Sequence, residues 1–333
     1  MNSPVPLVSP PCPVCGSEDY VTVMTGARDQ IWRKPGVFQL QRCRQCDLVT
    51  TRPRPAPDAL SFYYEGTYSG ESLESMRRFQ TESWLGRLIQ RYRLHIIGRV
   101  KPLSKDDHVL DVGCSYGGFL RAARMASGCQ TSGIDLDEGT IAEAVDADVT
   151  DYQSCRLVDS DFEKGRFSVI TFFQSLEHHS EPLAALEHAR ELLRDGGHVV
   201  VEVPNYGGFW RKVFRTAWLP LLIPQHLFHF TPKTLRRTLE AAGFKQIKRA
   251  QTVFYPLEGT ASLGIWLARL LRTPPAGTPP SWRTPLDIAV GLLLAVVYLL
   301  TEWPSQFLLH LGGAAGHQII IAEKSDSQPS DGG

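Results

Sequence analysis

Residues Val109 to Leu120, Val-Leu-Asp-Val-Gly-Cys-Ser-Tyr-Gly-Gly-Phe-Leu, constrain the fold more than any other stretch of this sequence. Val109, Leu110 and Val112 form a short β-type run. Gly113 and Gly117 then let the backbone turn sharply and approach a ligand with no Cβ in the way. A helix starts near Gly118 and carries Phe119, Leu120, Ala122 and Ala123. Strand, glycine turn and helix in this order place a nucleotide-like cofactor at the carboxyl end of a parallel sheet. Alone, such a turn serves almost as well as a structural βα connection.

Thr131 to Leu136 reads as the next strand, ending in Asp135, about 20 residues beyond the glycine turn. A carboxylate there can accept both ribose hydroxyls of an adenosine. On these residues the chain resembles the class I S-adenosylmethionine-dependent methyltransferases. Asp111-x-Gly113-Cys114-x-x-Gly117 is similar to their first motif and Gly133-Ile-Asp135 to their second. The resemblance continues to about residue 250 and returns at Gly316 to Glu323. It implies an α/β fold with a Rossmann-like seven-stranded methyltransferase sheet. It implies S-adenosyl-L-methionine as cofactor, held by Asp111, Gly113, Cys114, Gly117, Asp135, Leu136, Leu157 and Gln174. Leu157 and Val158 fall where the family's adenine-contacting loop lies, with Asp159 or Asp161 as partners of the adenine amino group.

Phe167 to Phe173 is an apolar strand, followed by Gln174-Ser-Leu-Glu177-His178-His179-Ser180-Glu181-Pro182. Ser180 is expected to cap the next helix, with Pro182 in its first turn and Leu183, Leu186 and Leu193 on its buried stripe. His198 to Val203 is a buried strand closing at Pro204-Asn205. This run is similar to the family's fourth to sixth motifs. It departs from them at Ser168, where members usually carry Asp, and at Ser115, where many carry a third glycine. Further on, Thr231 caps a helix opened by Pro232 and stopped by Gly243, and the His226-Leu-x-His229-Phe-Thr-Pro segment before it resembles a subgroup hallmark.

Methyl transfer is an in-line displacement, so alignment supplies much of the rate and a base about 10²–10⁴-fold. An imidazole near neutral pH can accept the proton. His178 is the first candidate, with Glu177 orienting it or contacting the cofactor. His226 and His229 come next. A packing or helix-start role stands as an equal alternative for each.

Near the N-terminus, Cys12-Pro-Val-Cys15 and Cys43-Arg-Gln-Cys46 form two Cys-x-x-Cys knuckles. Together they can close on one tetrahedral zinc ion, and four thiolates leave no open position for substrate, so the metal would be structural. Four ordinary buried cysteines are the alternative. The ribbon, with Thr51 to Pro55 and the Tyr63-Tyr64 pair, resembles the N-terminal module of methyltransferases from sugar, polysaccharide and secondary-metabolite pathways. Tyr63, Tyr64 and Tyr68 either line the substrate entrance or pack.

Residues 72–100 alternate charge and apolarity at helical spacing, with Trp84, Leu88, Tyr92 or Ile89, Ile96 and Ile97 inward and the arginines solvated. Residues 262–311 are strongly apolar, but the uncharged run 288–300 is short of the about 20 residues that span a bilayer. A peripheral membrane contact, a lid over an apolar substrate and a dimer or core helix pair all stay open for them.

The expected organisation is a tail at 1–11, the zinc-ribbon module at 12–70, the methyltransferase domain at 71–255 with 313–324, a hydrophobic helical insertion at 256–312 before the last strand, and a tail at 325–333. Lys+Arg and Asp+Glu each number 35, so no basic excess points to nucleic acid. Prolines stand where a signal peptide needs an apolar core, and seven cysteines with four in close pairs fit a reducing compartment. The reading is a cytoplasmic methyltransferase of a small or lipid-linked metabolite, such as a sugar, with peripheral contact at the inner membrane face. An RNA methyltransferase using the ribbon and a non-catalytic scaffold are the alternatives.

Overall fold

The computed structural model describes residues 4–64, 77–80, 82–140, 151–253, 258–270, 293 and 296–325. The expected helix after Glu138 falls largely outside these residues, as do Tyr68 and most of the run 288–300.

Five short strands come first: β1 (Leu7–Val8), β2 (Tyr20–Ala27), β3 (Phe38–Cys43), β4 (Val49–Thr51) and β5 (Arg54–Pro55). Helix α1 (Trp84–Gly98) precedes β6 (His108–Val112), α2 (Gly118–Ser127), β7 (Gln130–Asp135) and β8 (Asp151–Ser154). Then come β9 (Phe167–Phe173), α3 (Pro182–Leu192), β10 (Leu193–Pro204), α4 (Phe209–Phe214) and β11 (Phe228–His229). The remainder is α5 (Pro232–Ala241), β12 (Gln246–Val253), α6 (Glu258–Leu270), α7 (Trp303–Leu311) and β13 (His317–Glu323). The chain divides into two compact units. The first comprises Met1–Glu65, Pro204–Thr234 and Gln251–Gln318, the second Gly66–Val203, Leu235–Ala250 and Ile319–Gly333.

The large sheet of the second unit has the strand order β12-β13-β10-β9-β6-β7-β8, the Rossmann-like arrangement expected from the sequence. β6 pairs in parallel with β7 and β9, β7 with β8, and β9 with β10. Every residue of β9 is buried, as a parallel strand covered on both faces requires. The chain runs outward from β6 to β8, then returns to the other side of β6 as β9. That reversal opens a crevice at the carboxyl ends of β6 and β9.

Ser168, where the family usually has Asp, is fully buried and joins those two strands. Its Oγ accepts the His108 N–H at 2.9 Å and donates to the His108 carbonyl at 3.0 Å.

Two local expectations are corrected. Ser180 does not cap α3: Glu181 occupies the cap position and no side chain caps the helix. Pro182, first in the helix, brings no N–H, so one of the unpaired donors of the helix start is absent. The buried stripe is Ala185, Leu186, Ala189 and Leu192, with Leu183 half-buried and Leu193 already in β10. In α1 the inward face is rotated from the expected one. Trp84 and Leu88 are exposed, while Gln90, Arg93, Ile96 and Ile97 are buried. An arginine points inward because an acid waits for it.

The expected cap of α5 is present: Thr231 Oγ1 accepts the Thr234 N–H, and Thr234 Oγ1 accepts the Thr231 N–H. Leu235, Leu239 and Ala242 are buried, and Gly243 takes φ +87° to stop the helix.

The first unit holds a four-stranded sheet in the order β11-β4-β3-β2, with β1 and β5 paired beside it. Its core packs Phe38, Leu40, Tyr63, Trp218 and Leu221. Tyr63 is wholly buried and donates its hydroxyl to the Pro35 carbonyl at 2.9 Å, so it packs rather than lining an entrance. No described helix is long and apolar enough to cross a membrane.

Candidate functional site

The turn after β6 is held in place by the neighbouring strand. The amides of Gly113 and Cys114 both donate to the Ile134 carbonyl, at 2.8 and 3.0 Å. Gly113 sits at φ +80°, and a Cβ there would meet the Ser175 Cβ at 2.6 Å, so only glycine fits. Gly117 takes φ +69° as the cap of α2. Ser115 adopts φ +48°, a left-handed conformation uncommon for a residue with a Cβ.

Its amide donates to Asp135 Oδ2 at 2.9 Å, while Asp135 Oδ1 accepts the Asp137 amide at 3.2 Å. The β7 carboxylate is thereby fixed beside the turn, and burial raises its pKa. Leu136 next to it is 71 % exposed.

Other predicted cofactor residues lie deeper. Asp111 is buried and accepts the Thr171 hydroxyl at 2.6 Å; burial pushes its pKa up to about 6. It supports the turn from beneath. Cys114 is buried, and burial keeps its thiol protonated. Leu157 is 1 % exposed and belongs to the core, whereas Val158 beside it is 40 % exposed. Of the two side chains, Val158 is the one the loop turns to solvent. Asp159 pairs with Arg156 at 2.6 Å and Asp161 with Gln153.

At the carboxyl end of β9, Gln174 takes φ +56°. Its amide N–H donates to the Glu202 carbonyl at 2.8 Å and its Nε2 to Glu202 Oε1 at 3.1 Å. Arg93 grips the same carboxylate with Nε at 3.0 Å and Nη2 at 2.9 Å. Sequence reasoning missed both Arg93 and Glu202. Arg93 was read as one of several solvated arginines, and Glu202 as part of a buried strand. The signal for Glu202 was an acid inside His198-Val-Val-Val-Glu-Val203 with no visible partner.

Of the predicted proton-transfer residues, Glu177 and His178 stand on a short 3₁₀ turn, Leu176–His178, in the second unit. Glu177 is wholly buried, and burial, helped by the Glu202 charge, pushes its pKa up to about 8. His178 is half-buried.

His226 and His229 belong to the first unit. His226 Nδ1 lies 2.9 Å from the Pro220 carbonyl. A carbonyl only accepts, so Nδ1 carries the proton and Nε2 is the basic nitrogen. His229 is placed differently. Thr51 donates its hydroxyl to the His226 carbonyl at 2.8 Å, so the 3.1 Å contact between Thr51 Oγ1 and His229 Nε2 needs the proton on Nε2. Burial pushes the His229 pKa down to about 3, and its ring lies against Tyr206. In this arrangement His229 is a hydrogen-bond donor joining β11 to β4, the packing role that the sequence left open beside that of a base.

The four ribbon cysteines converge in the first unit. Cys12 and Cys46 Sγ are 3.5 Å apart, as are Cys15 and Cys43, and all four sulfurs lie within 4.8 Å of one another. Zinc at about 2.3 Å from each sulfur would set them about 3.8 Å apart, so the donor set has the size of a tetrahedral thiolate site. Each knuckle turns the same way. Gly16 N–H donates to the Cys12 carbonyl and Asp47 N–H to that of Cys43, with Gly16 at φ +71° and Asp47 at φ +67°.

The family model described as a methyltransferase domain matches residues 66–248, more than half of the chain. A ubiquinone biosynthesis O-methyltransferase of Idiomarina loihiensis is 30% identical over 164 residues, which cover 45% of this chain and 67% of that protein. Another, of Aromatoleum aromaticum, is 26% identical over 168 residues, covering 47% and 71%. The solved phosphoethanolamine N-methyltransferase 2 of Haemonchus contortus, in complex with S-adenosyl-L-methionine, has the same fold at 16% identity. Its TM-score is 0.52, with 92% of this chain and 69% of that chain covered. Crevice, motifs and family match agree: the chain belongs to the methyltransferase-domain family and is an S-adenosylmethionine-dependent methyltransferase.

Proposed function

We propose that the chain methylates a small or lipid-linked metabolite, with Asp135 holding the ribose of S-adenosyl-L-methionine. The observation that carries this reading is the Asp135 carboxylate, fixed at the end of β7 against the left-handed turn of Gly113, Ser115 and Gly117. The bound cofactor supplies a methyl group on a sulfonium. Leu136 and Val158 offer apolar surface for the adenine, and Gln174 lies on the rim at the end of β9. The relatives' names favour a lipid-linked acceptor; a sugar rests on the resemblance of the ribbon module.

The acceptor's proton goes to His178 or to Nε2 of His226, whose tautomer suits a base. Glu177, with a pKa near 8, is protonated at neutral pH and holds a proton rather than a charge. Cys12, Cys15, Cys43 and Cys46 hold a structural zinc ion, a reading supported by their sulfur spacing. We assign the protein to the cytoplasm, with peripheral membrane contact through 262–311. Support comes from the exposed apolar side chains Trp266, Leu300, Phe307, Leu308 and Leu311.

Titration calorimetry with S-adenosylmethionine and its demethylated product tests the cofactor assignment, and micromolar binding of both is expected. A radiolabelled-methyl screen of quinol, lipid-linked and nucleotide-sugar acceptors then tests the substrate class. Transfer to none of these, but to RNA, would overturn it.

A further inference from the structure

We propose that Arg93 and Glu202 are positioning residues that set Gln174 for the cofactor. This inference rests on the cofactor reading above and goes one layer deeper. Arg93 is 8 % and Glu202 1 % exposed, so neither can touch a ligand directly. They act through a third residue.

The Glu202 carboxylate gathers three elements of the second unit. From α1, Arg93 donates Nε to Oε2 at 3.0 Å and Nη2 to Oε1 at 2.9 Å, a two-pronged grip that fixes the plane of the carboxylate. From β10 comes Glu202 itself. From the end of β9, Gln174 donates Nε2 to Oε1 at 3.1 Å.

A carboxylate in this ion pair accepts only. The nitrogen end of the Gln174 amide must therefore face Glu202, and the oxygen end faces away from it. The same residue is held at φ +56° while its N–H donates to the Glu202 carbonyl at 2.8 Å. Left-handed conformations of residues with a Cβ persist where the surroundings over-determine them, and they gather at ligand sites. The Arg93 guanidinium also lies 4.2 Å over the ring of Phe173, the residue before Gln174. Backbone and amide orientation of Gln174 are thus both set by one buried ion pair. What the amide presents is an acceptor oxygen, suited to the ammonium group on the amino-acid portion of a sulfonium cofactor.

The test is calorimetry with S-adenosylmethionine on four full-length proteins: wild type, Gln174→Ala, the paired replacement Arg93→Met with Glu202→Met, and all three changes combined. Removing a buried ion pair whole is tolerated by many folds, whereas removing one partner strands a charge, so the paired replacement keeps the protein testable. Gln174→Ala and the paired replacement are each expected to weaken binding about tenfold, and the combined variant by no more than about twofold beyond either. Wild-type affinity in the paired variant, or losses that multiply in the combined one, would overturn the proposal. Restoring the pair as Arg93→Lys with native Glu202 should recover part of the affinity, which a role in packing alone would not predict. Wild-type binding itself reports the cofactor reading, so the two ideas fail separately.

Discussion

The two sheets of this protein reach order by different means. In the second unit, all seven residues of β9 are buried, and the strand pairs in parallel with β6 on one side and β10 on the other. In the first unit, β2 buries only Met24 and Ala27 of its eight residues, and its pairing with β3 slips register twice. A strand with so little to bury gains less from solvent exclusion, and four converging cysteines can provide a cross-link beside it through a metal. The left-handed residues differ in the same sense. Gly16 and Asp47 turn two knuckles around a sulfur cluster, whereas Gly113, Ser115, Gly117 and Gln174 lie in the turns that follow β6 and β9. Local strain sits at a cysteine cluster in one unit and at the proposed cofactor turn in the other.

The comparison breaks most visibly at the ribbon. The wild type should carry about one zinc per chain, and structural zinc in such sites contributes about 10–16 kcal/mol to folding. Cys43→Ser should abolish the metal and leave the first unit open to limited proteolysis after β2. A protein that retains its metal and its protease resistance would show the cysteines to be ordinary core residues. The next largest effect belongs to the crevice. Asp135→Ala removes a carboxylate placed to accept two ribose hydroxyls, at about 1.5–3 kcal/mol for each charged hydrogen bond, so cofactor affinity should fall by about a hundredfold or more. Unchanged affinity would remove the ribose assignment.

The large sheet was legible because its signals are local. A run such as Phe167 to Phe173 has the same meaning in any surroundings, and Gly113 with Asp135 is a pattern of spacing. The knuckles were legible for the same reason. Arg93 and Glu202 were not, because their meaning lies in a pairing across 109 residues of chain. Helical spacing placed Trp84 and Leu88 inward and left Arg93 in water, since periodicity weighs an arginine as polar whatever it meets. At His229 the neighbouring residues leave a base and a packing role equally open. A segment that matched a hallmark suggested chemistry, and only the Thr51 hydrogen bonds show which nitrogen carries the proton. Leu157 and Val158 differ by one position, and a strand-to-turn boundary read from sequence does not resolve which of the two faces outward.

A buried carboxyl in each unit sharpens the comparison by pH. Burial raises Glu177 from 4.5 to about 8 and Glu258 from 4.5 to about 7; Trp218 donates to Glu258 at 2.5 Å and opposes the latter shift. A raised folded pKa means that the native state binds the proton more tightly than the unfolded chain. The associated stability is complete below pH 4.5 and is lost as pH climbs to the folded value. Glu177→Gln should therefore melt increasingly above the wild type from pH 5 to about 8, and Glu258→Gln only to about 7. Melting curves across that range decide it. A constant offset for Glu177→Gln would mean that its carboxyl is already ionised at the low end.

The smallest effect is expected at His229, where the sequence pointed to catalysis. Its Nε2 proton is committed to Thr51 and its pKa sits near 3, so at neutral pH the ring neither gains nor loses a proton. Glutamine in its place keeps an N–H donor at a similar reach. With the acceptor found by the methyl-transfer screen, His229→Gln should retain turnover within about threefold and leave the pH profile of kcat/KM unmoved. A general base contributes about 10²–10⁴-fold, far outside that margin. A fall of that size in His229→Gln, with the melting temperature preserved, would return His229 to the chemistry and require Thr51 to release its hydrogen bond during the reaction. The same substitution at His226, whose Nδ1 is the protonated nitrogen and whose Nε2 is basic, is where the larger loss belongs.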